Sequence, residues 1–84
     1  MVAEMHRFRQ RLADNNIGWW DESENGIDCT KFFYEKKVWS VINGMGTYGG
    51  CLRDRPNQGL LEIWDGEGEE VGWCTSDDAF QIIF

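Results

Sequence analysis

Residues 27–43 read IDCTKFFYEKKVWSVIN, two runs crowded with aromatic and β-branched side chains on either side of Glu35-Lys36-Lys37. Such side chains suit a pleated, half-buried surface. The spacing therefore predicts a strand over 27–34, a turn at 35–37 and a returning strand over 38–43. Alternation sends Trp39 and Val41 to one face of that sheet and Val38 and Ile42 to the other. Upstream, Asn25-Gly26 is the strongest short hairpin signal a sequence carries. It makes residues 17–21 a short strand, or a tether that lays Trp19 and Trp20 against the core. Downstream, residues 44–59 (GMGTYGGCLRDRPNQG) hold five glycines and the only proline. No period of 2 or 3.6 survives there, which predicts a long loop. A strand over 60–64, a hairpin turn at Asp65-Gly66-Glu67-Gly68 and a strand over 70–74 follow.

Helical periodicity frames this meander. Met1, Met5, Phe8 and Leu12 fall at i, i+4, i+7 and i+11, one stripe of an amphipathic helix that stops at Asp14-Asn15-Asn16. Thr75 with Asp78 three residues on forms a capping box for a last helix, with Ala79, Phe80, Ile82 and Ile83 as its buried side. The expected architecture is α+β: an N-terminal helix, a four- to five-strand antiparallel meander sheet and a short C-terminal helix, with both helices on one face. At 84 residues, 1–84 is expected to be a single domain, since a second core needs roughly 50 more.

Composition narrows the class. Hydrophobic residues at 42% and aromatic ones at 14%, five of them Trp, fit an ordered chain rather than a disordered one. Apolar runs stop at four or five residues, too short to cross a membrane as a helix. The first dozen residues, MVAEMHRFRQRL, interleave three Arg and lack an apolar h-region, so a cytoplasmic protein is expected. Cys29, Cys51 and Cys74 form no C-x-x-C pair. An odd count fits reduced, buried thiols better than one disulfide plus a free thiol.

Charge is lopsided. Residues 1–55 carry all 8 basic side chains and 8 of the acids, whereas residues 56–84 carry 7 acids and no Lys or Arg, the whole net −7. That block (Glu62, Asp65, Glu67, Glu69, Glu70, Asp77, Asp78) repels phosphate backbones and anionic lipid, and attracts basic surfaces at long range. Direct nucleic-acid binding is disfavoured, because counterion release needs clustered Lys and Arg. A basic patch from Arg7, Arg9, Arg11, Lys36 and Lys37 is the remaining route to it.

Both faces of the central strands are apolar, yet two short helices cover about one. The loop, the Trp19-Trp20 segment or a partner must cover the other, and an open aromatic patch usually marks an interface. Tyr48, presented by the glycines and flanked by Arg53 and Arg55, is a candidate anchor, as are Trp64 and Trp73. The bland alternative tucks Tyr48 onto the sheet as cover.

Motifs for chemistry are weak. Gly44-Met45-Gly46-Thr47-Tyr48-Gly49 spells G-x-G-x-x-G, but Gly49-Gly50 and Pro56 leave no helix to receive a pyrophosphate. Counted from Asp65, the sixth and twelfth positions of a calcium loop are Glu70 and Ser76 instead of Gly and Glu. His6 is the only histidine, without an acid or thiol at fixed spacing. Neither an enzyme nor a cofactor or metal is expected.

The segments VWSVINGMGTYGG (38–50), GLLEIWD (59–65) and GWCTSDDAFQII (72–83) resemble, in layout, small uncharacterised proteins of phages and prophages of Gram-positive bacteria. The resemblance lies in a strand ending in a Tyr-Gly-Gly loop, a G-L-L-E strand and a Thr-x-x-Asp helix start, and spans about half the chain. It implies a mobile-element setting, where small acidic proteins block a nuclease or another nucleic-acid-binding complex of the host, as anti-CRISPR and other anti-defence inhibitors do. The expectation is thus a protein-binding inhibitor of a basic host protein. Its alternative is a structural module that self-associates as a homodimer.

Overall fold

The computed structural model describes residues 1–52 and 54–84. In chain order it contains α1 (Ala3–Asp14), β1 (Trp19–Asp21), β2 (Ile27–Tyr34), β3 (Lys37–Gly44), β4 (Leu61–Trp64), β5 (Val71–Cys74) and α2 (Ser76–Ile83). The strands form one sheet in the order β1-β2-β3-β4-β5, every neighbour antiparallel. This is the α+β meander that alternation and turn residues predict.

Two tight turns set the register. Asn25 and Gly26 take φ of 50° and 82°, the pair of left-handed conformations a two-residue type I′ turn requires. Glu24 and Ile27 exchange both backbone hydrogen bonds across it, at 3.0 and 2.9 Å. The β2–β3 turn has the same geometry, with Glu35 at 54° and Lys36 at 65°. Neither is Gly or Asn, so only the long ladder on both sides holds them there. Lys37 consequently belongs to β3 opposite Tyr34, and the turn is one residue shorter than the 35–37 the sequence suggests.

Both helices pack on one face of the sheet. Met5, Phe8 and Leu12 from α1 and Ala79, Phe80 and Ile83 from α2 close over Phe32, Val41, Leu61 and Ile63. The Phe8 ring lies 5.8 Å from that of Phe32 and 5.3 Å from that of Phe80. Full burial of side chains this size contributes about 1.5–3 kcal/mol each. Two residues depart from the expected stripes. Met1 precedes the helix and is exposed, and Ile82 projects from the outer flank of α2. Phe84 closes that end instead, its ring 4.4 Å from Tyr34 and 4.7 Å from Phe80.

Polar contacts lock the helices in place. Thr75 Oγ1 accepts the Asp78 N–H and Asp78 Oδ2 accepts the Thr75 N–H, both at 3.1 Å, the reciprocal box read from the sequence. Glu4 Oε1 accepts the Ser76 N–H at 2.7 Å, and Arg11 pairs with Asp77 while lying 4.2 Å over the Phe80 ring. No helix among the described residues is long and apolar enough to cross a membrane.

Candidate functional site

Because side chains alternate, the residues paired with the core set on each strand all point away from the helices. Across the strands the outward rows run Trp20–Lys31–Ser40–Trp64, Phe33–Val38 and Cys29–Ile42–Glu62. Trp20, Val38 and Trp64 are exposed there, and Phe33 is 61% exposed. Neither helix reaches this outer face.

The glycine-rich loop covers only its β4–β5 end. Cys51 N–H returns to Gly44 O at 2.9 Å, and Thr47 Oγ1 both accepts the Gly44 N–H and donates to its carbonyl. A Cβ on Gly50 would lie 2.4 Å from Gly44 O, which is why this turn needs glycine there. Among the described residues no helix starts directly after the G-x-G-x-x-G run, where a phosphate cradle needs one. Farther along, the Asn43 and Asn57 side-chain amides bond each other reciprocally, at 3.0 and 2.7 Å, and Asn43 also donates to Leu60 O at 2.8 Å.

This folding delivers Tyr48 to Trp73. The Tyr48 N–H donates to Glu62 Oε1 at 2.9 Å, the Trp73 N–H donates to Tyr48 O at 3.1 Å, and the two rings lie 5.3 Å apart. Leu61 faces Cys74 and Ile63 faces Val71, so two steps on β4 meet three on β5 and the edge strand bulges. Trp73 sits in that bulge at φ 54°. A Cβ on Gly72 would come within 2.3 Å of Tyr48 Cβ, so only glycine admits the loop so close. Despite these fixtures the rings stay open to solvent, Tyr48 47% and Trp73 50% exposed. A non-glycine residue held left-handed at an edge, with its ring in solvent, is backbone strain kept where a ring is presented.

The acids divide by position. Asp65 accepts the Glu67 and Gly68 N–H groups at 2.9 Å each and Lys37 Nζ at 3.0 Å, and these bonds hold its carboxyl far below the usual carboxylate range. Its oxygens staple the turn. Trp64 Nε1–H donates to Gly68 O at 2.7 Å and draws the hairpin tip toward the outer face. Glu67, Glu69 and Glu70 stand exposed on that hairpin, and Glu69 and Glu70 have no ion-pair partner among the described residues. Glu62 is 8% exposed and spends its carboxylate on Tyr48, so it fastens the loop instead of steering a partner. Asp77 and Asp78 lie beyond the far end of β5, about 13 Å of strand from the hairpin at 3.3 Å per residue, in contact with Arg11 and Thr75. Apart from the buried Glu62, the acidic third is therefore two exposed groups, and the hairpin is the one beside the aromatic face.

Most cations are already spent. Arg7 pairs with Glu4, Arg9 with Asp21, Arg11 with Asp77, Lys31 with Glu22 and Lys37 with Asp65. Lys36 and Arg55 have no acidic partner among the described residues. Arg55 stands across a groove from Trp73, and Arg53 lies outside the described residues. No group of three or more His, Cys, Asp or Glu with the geometry of a metal site occurs among the described residues. The thiols Cys29, Cys51 and Cys74 are all free, and burial pushes Cys29 and Cys74 up from their usual values, away from the thiolate a nucleophile needs.

Of the residues singled out from sequence, the structure gathers Tyr48, Glu62, Trp73 and Arg55 at one end of the outer face. It gathers Trp64, Asp65, Glu67, Glu69 and Glu70 around the adjacent hairpin. Sequence reading passed over Phe33 and offered Trp20, together with Trp19, as cover for the core, whereas only Trp19 packs against it and Trp20 is exposed. Alternation against the core residue Phe32, with the register set by Asn25-Gly26, was the signal that places Trp20 and Phe33 outward. Comparison with family models, with curated proteins and with solved structures finds no match to this chain.

Proposed function

We propose that this chain is a small acidic protein-binding module that lays the outer sheet face, hairpin foremost, on a basic surface of another protein. The resemblance to phage and prophage proteins makes that partner a basic host protein such as a nuclease or nucleic-acid-binding complex, inhibited by occlusion in the anti-CRISPR or anti-defence manner. One observation carries the reading: Phe33, Trp64, Tyr48 and Trp73 stand uncovered on one face beside Glu69 and Glu70, which have no ion-pair partner among the described residues. Desolvated aromatics hold most of the affinity of an interface, and charges mainly raise the association rate and select the partner. Two copies each carrying −7 repel, which favours a basic partner over a second copy. Internal pairing of Arg7, Arg9, Arg11 and Lys37 argues against a phosphate-tracking patch.

The test is capture of the partner by the full chain, followed by association kinetics on the purified pair. Raising salt from low to physiological strength is expected to slow association roughly 10-fold, with Glu67→Lys/Glu69→Lys/Glu70→Lys slowing it similarly at low salt. Trp64→Ala is expected to speed dissociation while leaving the salt slope unchanged. An association rate indifferent to salt refutes the steering role. A two-protomer sedimentation mass that Trp64→Ala reduces to one replaces the reading with a homodimer.

A further inference from the structure

A groove of about 660 Å³ opens between Leu52, Arg55 and Gln58 on one side and Trp73 of β5 on the other. Its polar side-chain groups are nearly all donors. The Arg55 guanidinium offers five N–H bonds, the Gln58 side chain two and the Trp73 indole one, against a single acceptor, the Gln58 carbonyl oxygen. None of these side-chain donors has an internal acceptor among the described residues; of the other indole N–H groups, those of Trp20, Trp39 and Trp64 are bonded and that of Trp19 is not. Acids outnumber bases 15 to 8 in this chain, so an Arg left without a carboxylate beside an open aromatic ring stands apart. The cleft between α1 and α2 offers no such opportunity, since Arg7 and Arg11 there already hold Glu4 and Asp77. A donor-lined groove with an aromatic wall complements a planar acceptor pair on an apolar body.

We infer that this groove is a carboxylate-binding site, in which Arg55, Gln58 and the Trp73 indole N–H take the carboxylate and Leu52 with the Trp73 ring takes an aryl or alkyl body. The inference goes beyond the protein-docking reading and stands without it, because it rests on unspent donors, not on the acidic hairpin. The same chemistry is presented by a free small acid and by the terminal carboxylate of a peptide.

The experiment is an amide and Arg side-chain NMR titration of the full chain with four probes: 3-phenylpropionate, 3-phenylpropionamide, Gly-Gly-Gly-Phe with a free C-terminus, and the same peptide amidated. Saturable shifts centred on Leu52, Arg55, Gln58 and Trp73 are expected, with a dissociation constant on the order of 1 mM for the free acid. Each amide is expected to bind about 10-fold more weakly than its acid, since charge-assisted bonds are lost. Arg55→Gln, at an exposed position, is expected to keep the parent spectrum and bring the acid down to the level of the amide. A peptide acid at least 10-fold tighter than phenylpropionate identifies a chain terminus as the natural ligand, and equal or weaker binding identifies a small acid; either result upholds the site. Equal affinity of acid and amide, shifts centred on Lys36, or no saturable shift overturns it.

Discussion

Trp73 is the position at which the backbone and the exposed ring make opposed demands, and substituting it separates them. At φ 54° an L-residue carries a steric cost of about 1–2 kcal/mol that glycine escapes. The half-exposed indole buries about 100 Å² of the 150–250 Å² a Trp offers, or about 2.5 kcal/mol at 25 cal/mol per Å², and its pairing with Tyr48 adds about 1 kcal/mol. Trp73→Ala loses the ring and keeps the cost, and is expected to fall about 3 kcal/mol below the parent. Trp73→Gly also loses the ring but sheds the cost, less about 0.5–1 kcal/mol for the greater freedom of glycine in the unfolded chain. The glycine variant should therefore exceed the alanine variant by about 1 kcal/mol, or about 4–8 °C in melting temperature for a chain this size. Val38 in β3, whose φ is not positive, supplies the control, where glycine should be worse than alanine by about 0.5–1 kcal/mol. The assay is urea unfolding followed by circular dichroism, with equal slopes required before midpoints are compared. A Trp73→Gly variant no more stable than Trp73→Ala refutes the claim that the fold holds this residue left-handed to present its ring.

Glu35→Asn with Lys36→Gly supplies the residues a type I′ turn prefers and is expected to raise stability by about 1 kcal/mol, read as a higher urea midpoint. Asn57→Ala leaves the buried Asn43 amide short of a partner and is expected to cost about 1–3 kcal/mol, with hydrogen-exchange protection lost at the Gly59 amide that Asn57 caps. Asp65 stays ionised in the folded chain to a lower pH than its usual 3.8, so its contribution is complete above that value and fades as pH falls below it. Asp65→Asn should accordingly flatten the acid limb of a stability–pH curve below about pH 4, and also soften the alkaline fall as Lys37 deprotonates, because the Asp65 carboxylate is the main cause that raises the Lys37 ammonium.

Elements with a strong local code were legible and those decided by contact were not. The Asn25-Gly26 turn, the Thr75–Asp78 box and the Met5, Phe8, Leu12 stripe each satisfy a local geometric demand within a few residues. The Glu35-Lys36 turn carries no such signature, because the long β2–β3 ladder imposes its left-handed pair on residues that do not favour it. Ile82 is apolar but lies off the Ser76, Ala79, Phe80 and Ile83 stripe that α2 turns to the core, so it stays exposed. Glu62 looked like one more member of an acidic surface, since nothing near it in the chain reveals that Tyr48, 14 residues earlier, donates to it.

Alternation alone determined that the sheet has two apolar faces, and the charge order alone determined that the last third carries no cation. Folding decided which face the helices took, because the stripes of α1 and α2 had to meet the same strands to exclude water from Phe8 and Phe80. It also decided that the carboxylates of residues 62–78 separate into a buried clasp, an open hairpin and a helix cap. Their places depend on which backbone N–H or cation each one meets across the fold, and such meetings between residues far apart in the chain exist only once the strands have paired.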